Sequence, residues 1–397
     1  MLDALVVGGG PAGAAAAIVL ARAGRSVMVV DKARFPRDKC CGDGLTTLAL
    51  RELVALGLQP AQVPNWKTVT ETWLRSPSGR EVRLPMPDGG TFAATTPRRE
   101  LDAALLQSAR DAGAEVHDGH GLTALHQHAD HVLASVDGIG EVAARFVVAA
   151  DGMWSPTRKL LGLSEPGYLG EWSAFRQYAA NVTGAAAERL YVWFEPDLLP
   201  GYAWSFPLPD GRANIGFGVM RGAAHSGKDT KAVWEGLLDR PHIREALGPD
   251  ARLEHRHTAW PIPAGIDRAV LSSRRTLFVG DAARASDVMT GEGIGQAVLT
   301  GRLAAEAVVA STAPAEVRRR YERSVQHHLL ADHRMSAVLN RWLARPLLAR
   351  GAVRVVGLNG FTRRNFVRWM FEDEPRAIAL TPRRWHPHFL RQPAPYP

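Results

Sequence analysis

At 397 residues the chain is too long for one simple core and long enough for two or three lobes. Its 46% apolar and 22% charged content excludes a disordered chain. Its two cysteines, the neighbours Cys40 and Cys41, exclude a disulfide framework and suit a reducing cytosol.

The formal excess of +8 belongs to the C-terminal stretch, where Ala331 to Pro397 holds 12 Arg, no Lys and 4 acids. That tail reads equally as solvated helices and as an anchor for an anionic surface such as a membrane face. No nucleic-acid partner and no metal site are expected. At the other end, Asp3 sits where a signal peptide would be basic. Gly8 to Pro11 interrupt the apolar stretch Ala4–Ala23, so neither a signal peptide nor a membrane span is expected there.

In chain order, Leu2–Val7 reads as a buried parallel strand and Gly8-Gly9-Gly10-Pro11-Ala12-Gly13 as a glycine turn. Ala12–Ala23 reads as a helix, and Ser26–Val30 as a second strand ending at Asp31. Gly8 suits the tight turn, Gly10 leaves room for a pyrophosphate, and Gly13 lets helix and strand pack closely. The helix start offers free N–H groups and the positive end of its dipole to phosphates. Asp31 can accept both hydroxyls of a ribose. Arg145–Ala150 reads as another buried strand, ending at Asp151-Gly152, a common turn dipeptide. Further on, Tyr202, Trp204 and Phe206 alternate at strand period, so one face carries three aromatics with two polar tips. Eight residues after Pro207 come Gly216 and Gly218. Thr276–Val279 reads as a strand closed by Gly280-Asp281, whose carboxylate suits a ribityl hydroxyl. Gly291-Glu292-Gly293-Ile294-Gly295 then opens a helix over about Gln296–Val309, whose first N–H groups would face a flavin.

The ordered set, from Gly8 through Asp151 to Asp281 and Gly293, reads as a split FAD site and resembles the para-hydroxybenzoate hydroxylase superfamily. The segment Tyr202-x-Trp204-x-Phe206-Pro207-x8-Gly216-x-Gly218 resembles the signature of the geranylgeranyl reductase family within it. The loop Lys39-Cys40-Cys41-Gly42-Asp43-Gly44 is similar to that family's Lys-Pro-Cys-Gly loop, with Cys40 where Pro is common. The stretch Asp287-Val288-Met289 stands where the family often has Pro. The tail Asn365–Trp385 resembles actinobacterial members that reduce the menaquinone side chain.

The resemblance implies an α/β fold: a Rossmann-like FAD-binding domain, an inserted mainly antiparallel β-sheet substrate domain and a helical C-terminal tail. The FAD-binding pieces are expected at 1–64, 97–162 and 270–321, the substrate sheet at 68–96 and 164–266, and the helical tail at 326–397, broken at Pro346 and Gly351. The implied cofactor-binding residues are Gly8, Gly10, Gly13, Asp31, Gly42, Arg98, Asp151, Gly280, Asp281, Gly293 and Ile294. Arg98 is included because Arg98-x-x-Leu101-Asp102 matches a superfamily helix start. Gly42 and Gly44 would permit close approach to the flavin ring. Tyr202, Trp204, Phe206, Gly216 and Gly218 would build an apolar slot. Cys41, Tyr202 and Trp204 are the candidate catalytic residues, although Cys41 reads equally as a small buried hydrophobe.

The expected activity is FAD-dependent saturation of an isoprenoid C=C bond, with a polyprenyl quinone or geranylgeranyl lipid as substrate. The alternatives are a flavin monooxygenase or halogenase, and an electron-transfer flavoprotein acting on a quinone ring. No second complete Gly-x-Gly-x-x-Gly occurs, so NAD(P)H would dock transiently or a reduced protein would supply electrons. A cytoplasmic protein, peripheral on the inner membrane face, is expected; the sequence leaves its oligomeric state open.

Overall fold

Leu2–Val7 is the buried middle of an eight-stranded sheet in the computed structural model, which describes residues 1–87, 90–222, 230–382 and 385. It pairs in parallel with Gly140–Ala149 on one side and Val27–Asp31 on the other. The path runs Ser272–Ser273, Thr276–Phe278, Gly140–Ala149, Leu2–Val7, Val27–Asp31, Glu115–Asp118. Two antiparallel strands, Leu122–Gln127 and Val132–Val136, extend from Gly140–Ala149. Ala4, Leu5 and Val6 are fully buried, as an unbroken apolar run covered on both faces should be.

The helices Pro11–Arg22 and Ile294–Ala310 pack closely on each other. Small residues make this possible. A Cβ on Gly301 would overlap the carbonyl oxygen of Ala12, and Ala14 to Ala17 are fully buried. Arg98–Asp111 packs against the same first helix.

The inserted sheet has seven strands in the order Arg252–Ile262, Trp172–Ala180, Arg212–Met220, Tyr202–Leu208, Leu190–Trp193, Glu71–Arg75, Glu81–Pro85. All neighbours are antiparallel except Leu190–Trp193 with Glu71–Arg75. The hairpin Tyr202–Leu208/Arg212–Met220 turns at Pro209-Asp210-Gly211, where Asp210 (φ +59°) and Gly211 (φ +65°) are left-handed. Its register sets Tyr202 opposite Gly218, Trp204 opposite Gly216, and Phe206 opposite Asn214. The glycines of the spaced signature therefore lie across from its aromatics.

The tail forms the helices Ala331–Leu343, Pro346–Val356 and Gly360–Met370; residues 383, 384 and 386–397 lie outside the described residues. Pro346 starts a helix, as expected. Gly351 breaks nothing: it sits inside that helix with open space where a Cβ would be. An isolated helical glycine costs only about 1 kcal/mol against Ala, which the buried side of the helix readily offsets. That side, Ala349, Val353 and Val356, joins Val367 and Phe371. Val353, Val356, Val367 and Phe371 pack in one core with Leu74, Val82, Leu84, Leu190 and Val192 of the inserted sheet. Among the described residues, no helix is long and apolar enough to cross a membrane.

Candidate active site

A single cavity of about 1130 Å³ runs from the glycine turn to the tail helices. It is larger than the roughly 300–1,000 Å³ of ordinary ligand sites, so it has room for a dinucleotide and more. At its first end Gly8 has φ +105°, and a Cβ there would overlap the carbonyl oxygen of Ala150. A Cβ on Gly13 would overlap the carbonyl oxygen of Gly8. Gly10 caps the helix Pro11–Arg22; a Cβ there would meet only Arg37 Nη2, at 3.4 Å. The helix start thus opens into the cavity, a cradle that side chains would fill. Asp31 lines it, with Oδ2 accepting from Gly9 N at 2.7 Å and Oδ1 from Ala33 N at 2.8 Å. Each oxygen keeps a lone pair for a ribose hydroxyl.

Asp151 also lines this end, and each of its carboxylate oxygens likewise accepts one hydrogen bond. Oδ1 accepts from Ser155 Oγ at 2.6 Å and Oδ2 from Thr157 N at 2.8 Å, at the start of the short helix Pro156–Leu160. Burial raises its pKa against those bonds. At the opposite wall, Gly280 (φ +58°) lets the strand end approach Ala12, whose Cβ would lie 3.1 Å from an added one. Asp281 faces the cavity, 3.4 Å from Lys39 Nζ.

Gly293 caps the helix Ile294–Ala310, but its first N–H groups are not simply free. Glu292 Oε1 accepts from Ile294 N at 3.0 Å and Gly295 N at 3.1 Å. Glu292 lines the cavity, and desolvation pushes its carboxyl up to about 7 despite those two bonds and the nearby Arg98. The motif reading passed over this residue. Its only sequence signal is a lone carboxylate between two glycines at a helix start.

Beside the helix start, Arg98 donates to Asp102 from Nε at 2.7 Å and from Nη2 at 2.8 Å, and Arg37 lies 3.0 Å from the same carboxylate. Arg98 lines the cavity, held firmly cationic by Asp102 although burial works against its charge. Cys41 is half-buried there, and burial pushes its thiol up to about 12, with Arg98 pulling the other way. It is a neutral thiol rather than an activated nucleophile.

The loop that carries Cys41 is held by two further residues that the sequence reading missed. Asp43 (φ +64°) is fully buried and accepts from Tyr178 Oη at 2.7 Å, Asn214 Nδ2 at 2.8 Å and Arg98 N at 3.1 Å. Burial raises Asp43 to about 6. Asn214 also donates to the Cys41 carbonyl at 2.7 Å and accepts from Trp204 Nε1 at 3.1 Å. One amide therefore fixes both the thiol loop and the indole.

Tyr202, Trp204 and Phe206 do form one wall of the cavity, with successive ring centroids 6.0 Å apart. Their two polar tips are bonded to the protein itself. Trp204 is bound to Asn214, and Tyr202 donates to the Thr290 carbonyl, its hydroxyl pushed well above its ordinary value by burial. A Cβ on Gly216 would strike the Phe175 carbonyl and the Trp204 ring, whose Cε2 lies 2.8 Å away, so the indole lies flat only over glycine. Gly218 lines the cavity one pair along. Gly42 and Gly44 line the cavity and also face a neighbour that the sequence did not suggest: an added Cβ would come within 3.1 Å and 2.9 Å of Phe206 ring carbons.

The far wall comes from the tail: Leu343, Leu347, Leu348, Ala352, Phe366 and Trp369. Behind that wall a charged latch joins the tail to the loop before Gly293. Arg376 pairs with Asp287 and lies 3.4 Å from Glu372. Asp287 accepts from Met289 N at 3.0 Å, Thr290 N at 2.8 Å and Ser336 Oγ at 3.0 Å. Glu372 accepts from Gln296 Nε2 at 2.8 Å and Thr46 Oγ1 at 3.1 Å.

Residues 1–311 match the FAD binding domain family. The chain is 36% identical over 329 residues to a menaquinone reductase of Mycobacterium tuberculosis (strain ATCC 25618 / H37Rv), covering 77% of this chain and 76% of that one. It is 30% identical over 330 residues to digeranylgeranylglycerophospholipid reductase 2 of Methanopyrus kandleri, covering 81% of each. The fold is shared with a geranylgeranyl bacteriochlorophyll reductase-like protein of Thermoplasma acidophilum, with a TM-score of 0.81 and 22% identity over 96% of this chain and 98% of that one. The glycine cradle and the family match agree on FAD as cofactor.

Proposed function

The chain belongs to the family of oxidoreductases built on this FAD-binding domain, and from that we propose that it saturates an isoprenoid C=C bond of a polyprenyl lipid, with a menaquinone side chain favoured and a geranylgeranyl lipid next. One observation carries the choice of a hydrocarbon. The cavity continues from the nucleotide end into a slot of Trp204, Phe206, Leu343, Phe366 and Trp369, and the polar tips of Tyr202 and Trp204 are bonded to the protein itself. Such a wall offers dispersion contact and few groups for a polar substrate.

Bound reduced FAD supplies the hydride. Everything else falls to the protein. Gly8, Gly10, Gly13 and Asp31 would hold the adenosine diphosphate part, and Asp281 and the start of Ile294–Ala310 the flavin part. An isolated alkene has no carbonyl to polarise, so the aromatic wall must align the double bond and keep water out. A proton must reach the second alkene carbon. The Cys41 thiol and the Tyr202 hydroxyl both hold their protons tightly. Glu292, shifted to about 7, is the cavity-lining acid suited to give one up near neutrality. Electrons would come from transiently docked NAD(P)H or from a reduced protein. The site of action would be the anionic inner face of the membrane, approached from the cytoplasm.

The test is mass spectrometry of isoprenoid lipids from a host that makes only unsaturated forms and expresses this chain. A gain of two mass units on a polyprenyl tail is expected. Unchanged lipids, with FAD bound and a reductant present, would overturn the proposal.

A further inference from the structure

The helix Pro346–Val356 carries apolar residues on its exposed side as well as on its buried one. Ala349, Val353 and Val356 are buried against the fold. Leu347, Gly351 and Val355 recur four residues apart on the opposite, exposed side, where a surface helix normally carries polar residues. Leu347 is 77% exposed. The apolar exposure continues through Trp342 (58%), Leu348, Leu358 (63%) and Phe361, across three successive helices. Scattered exposed hydrophobes need no explanation; a run confined to one segment does.

The charge on this segment has one sign. No acidic residue occurs in the sequence between Asp332 and Glu372, whereas Arg341, Arg345, Arg350, Arg354 and Arg364 are all exposed there. The segment also borders the cavity. Trp342, Leu347 and Leu348 are exposed, and the same three residues line the cavity that ends at Tyr202, Trp204 and Phe206.

We propose that this face docks on an anionic phospholipid leaflet, and that the cavity border at Trp342, Leu347 and Leu348 is a portal taking the isoprenoid chain directly from the bilayer. This rests on the isoprenoid reading of the cavity given above. Exposed apolar side chains would sink below the headgroups while the arginines meet lipid phosphates, whose bidentate acceptors suit guanidinium. A protein partner would be expected to meet carboxylates or a polar rim as well. A face of hydrocarbon and cations that is continuous with a hydrocarbon-lined cavity matches a leaflet. Entry through the portal would spare the chain a passage through water.

The experiment uses the full FAD-loaded chain and vesicles of phosphatidylcholine, with and without phosphatidylglycerol. Co-sedimentation with the phosphatidylglycerol vesicles is expected, weakened by salt. Val355→Asp with Phe361→Asp, both exposed and outside the cavity wall, should reduce binding by roughly a hundredfold. Arg350→Glu with Arg354→Glu should reduce it by at least about tenfold. Both variants should still reduce a short isoprenoid added in solution, while their rate on a polyprenyl quinone embedded in vesicles falls in step with binding. Wild-type protein that reduces the soluble substrate and ignores anionic vesicles would overturn the docking alone. A variant that keeps vesicle binding but turns a dimer into a monomer would make this face a self-interface and also overturn it. Intact vesicle binding with no reduction of either substrate would remove the portal together with the function it serves.

Discussion

Replacing Arg376 with Met keeps most of the side-chain stem and removes the charge that ties the tail to the loop before Gly293. Arg376, Asp287 and Ser336 sit in one buried cluster; Arg376 and Asp287 are each less than a tenth exposed. Burial alone would raise Asp287, but Arg376 and the donors of Thr290 outweigh it and hold the carboxylate below its ordinary value. Breaking one side of a buried pair typically costs about 3–5 kcal/mol, because the other charge is left behind. Here Met289 N, Thr290 N and Ser336 Oγ still donate to Asp287. The lower figure, about 3 kcal/mol, is therefore expected.

The assay is urea unfolding of the FAD-loaded chain for wild type, Arg376→Met, Asp287→Asn and the double variant. Asp287→Asn in the Arg376→Met background removes the stranded charge, so a coupling of roughly 2 kcal/mol is expected. The pH dependence has a definite sign. In wild type Asp287 is depressed, so its contribution is present above its unfolded value and is lost as pH falls through the lower folded one. Without Arg376 desolvation wins and the folded value rises. The penalty of the single variant should therefore shrink on acidification as Asp287 takes up a proton. FAD should also be held more weakly, because Thr290 and Glu292 lie on the loop that Asp287 braces. Additive effects, within about 0.5 kcal/mol, would refute the latch.

Glu292→Gln should lower the single-turnover reduction rate by roughly 10²–10⁴, and should remove a wild-type fall in rate as pH rises through about 7; an unchanged pH–rate profile would sink the proton-donor role. The same raised value means that Glu292 costs stability progressively as pH climbs from its unfolded range through about 7, so the glutamine variant should lose less stability over that window in denaturant titrations. Gly216→Ala should cost about 1–3 kcal/mol by overpacking and tilt the Trp204 indole, seen as a change in its near-ultraviolet circular dichroism; a wild-type spectrum would contradict the contact. With its thiol near 12, Cys41 should react with iodoacetamide at neutral pH at least about a hundredfold more slowly than an unperturbed cysteine, as read by peptide mass spectrometry, and fast labelling would mean that the thiol is activated.

The parts of the site that were legible are those whose geometry is set locally. Gly8 and Gly13 belong to one turn, and the clashes that forbid side chains there involve the turn itself and the neighbouring strand. The spaced aromatic signature is legible for a similar reason. Pro209-Asp210-Gly211 closes a hairpin, and the strand period then puts Gly216 under Trp204. Asn214 and Asp43 were not legible, because each acquires its meaning from a residue distant in the chain, and Glu292, although its hydrogen bonds are local, owes its raised pKa to burial that the whole fold supplies. Asn214 meets the Cys41 loop 173 positions away, and no local period encodes that meeting. Gly42 shows the same limit: it lines the cavity where the sequence marked a close approach, but only the fold shows that Phe206 packs on it too.

The tail was legible as helical, but not that Gly351 sits inside one of its helices or that it walls the cavity. Its arginines dominate the composition, yet Ala349, Val353 and Val356 already recur at helical spacing and mark a buried side. Arg350 and Arg354 give the helix Pro346–Val356 a strong amphipathic contrast, yet Leu347 and Val355 add apolar residues to its exposed side. One side completes the core with Leu74 and Val82, and the other meets the surroundings. The cavity requires this arrangement. The FAD-binding sheet and the inserted sheet supply the nucleotide end and the aromatic wall, but neither covers the far side of the slot, where Leu343, Phe366 and Trp369 stand. The element that closes the far side of the slot is also the one latched through Arg376 to the loop before Gly293, so if the flavin lies there as proposed, displacing the tail should loosen the slot and the cofactor together.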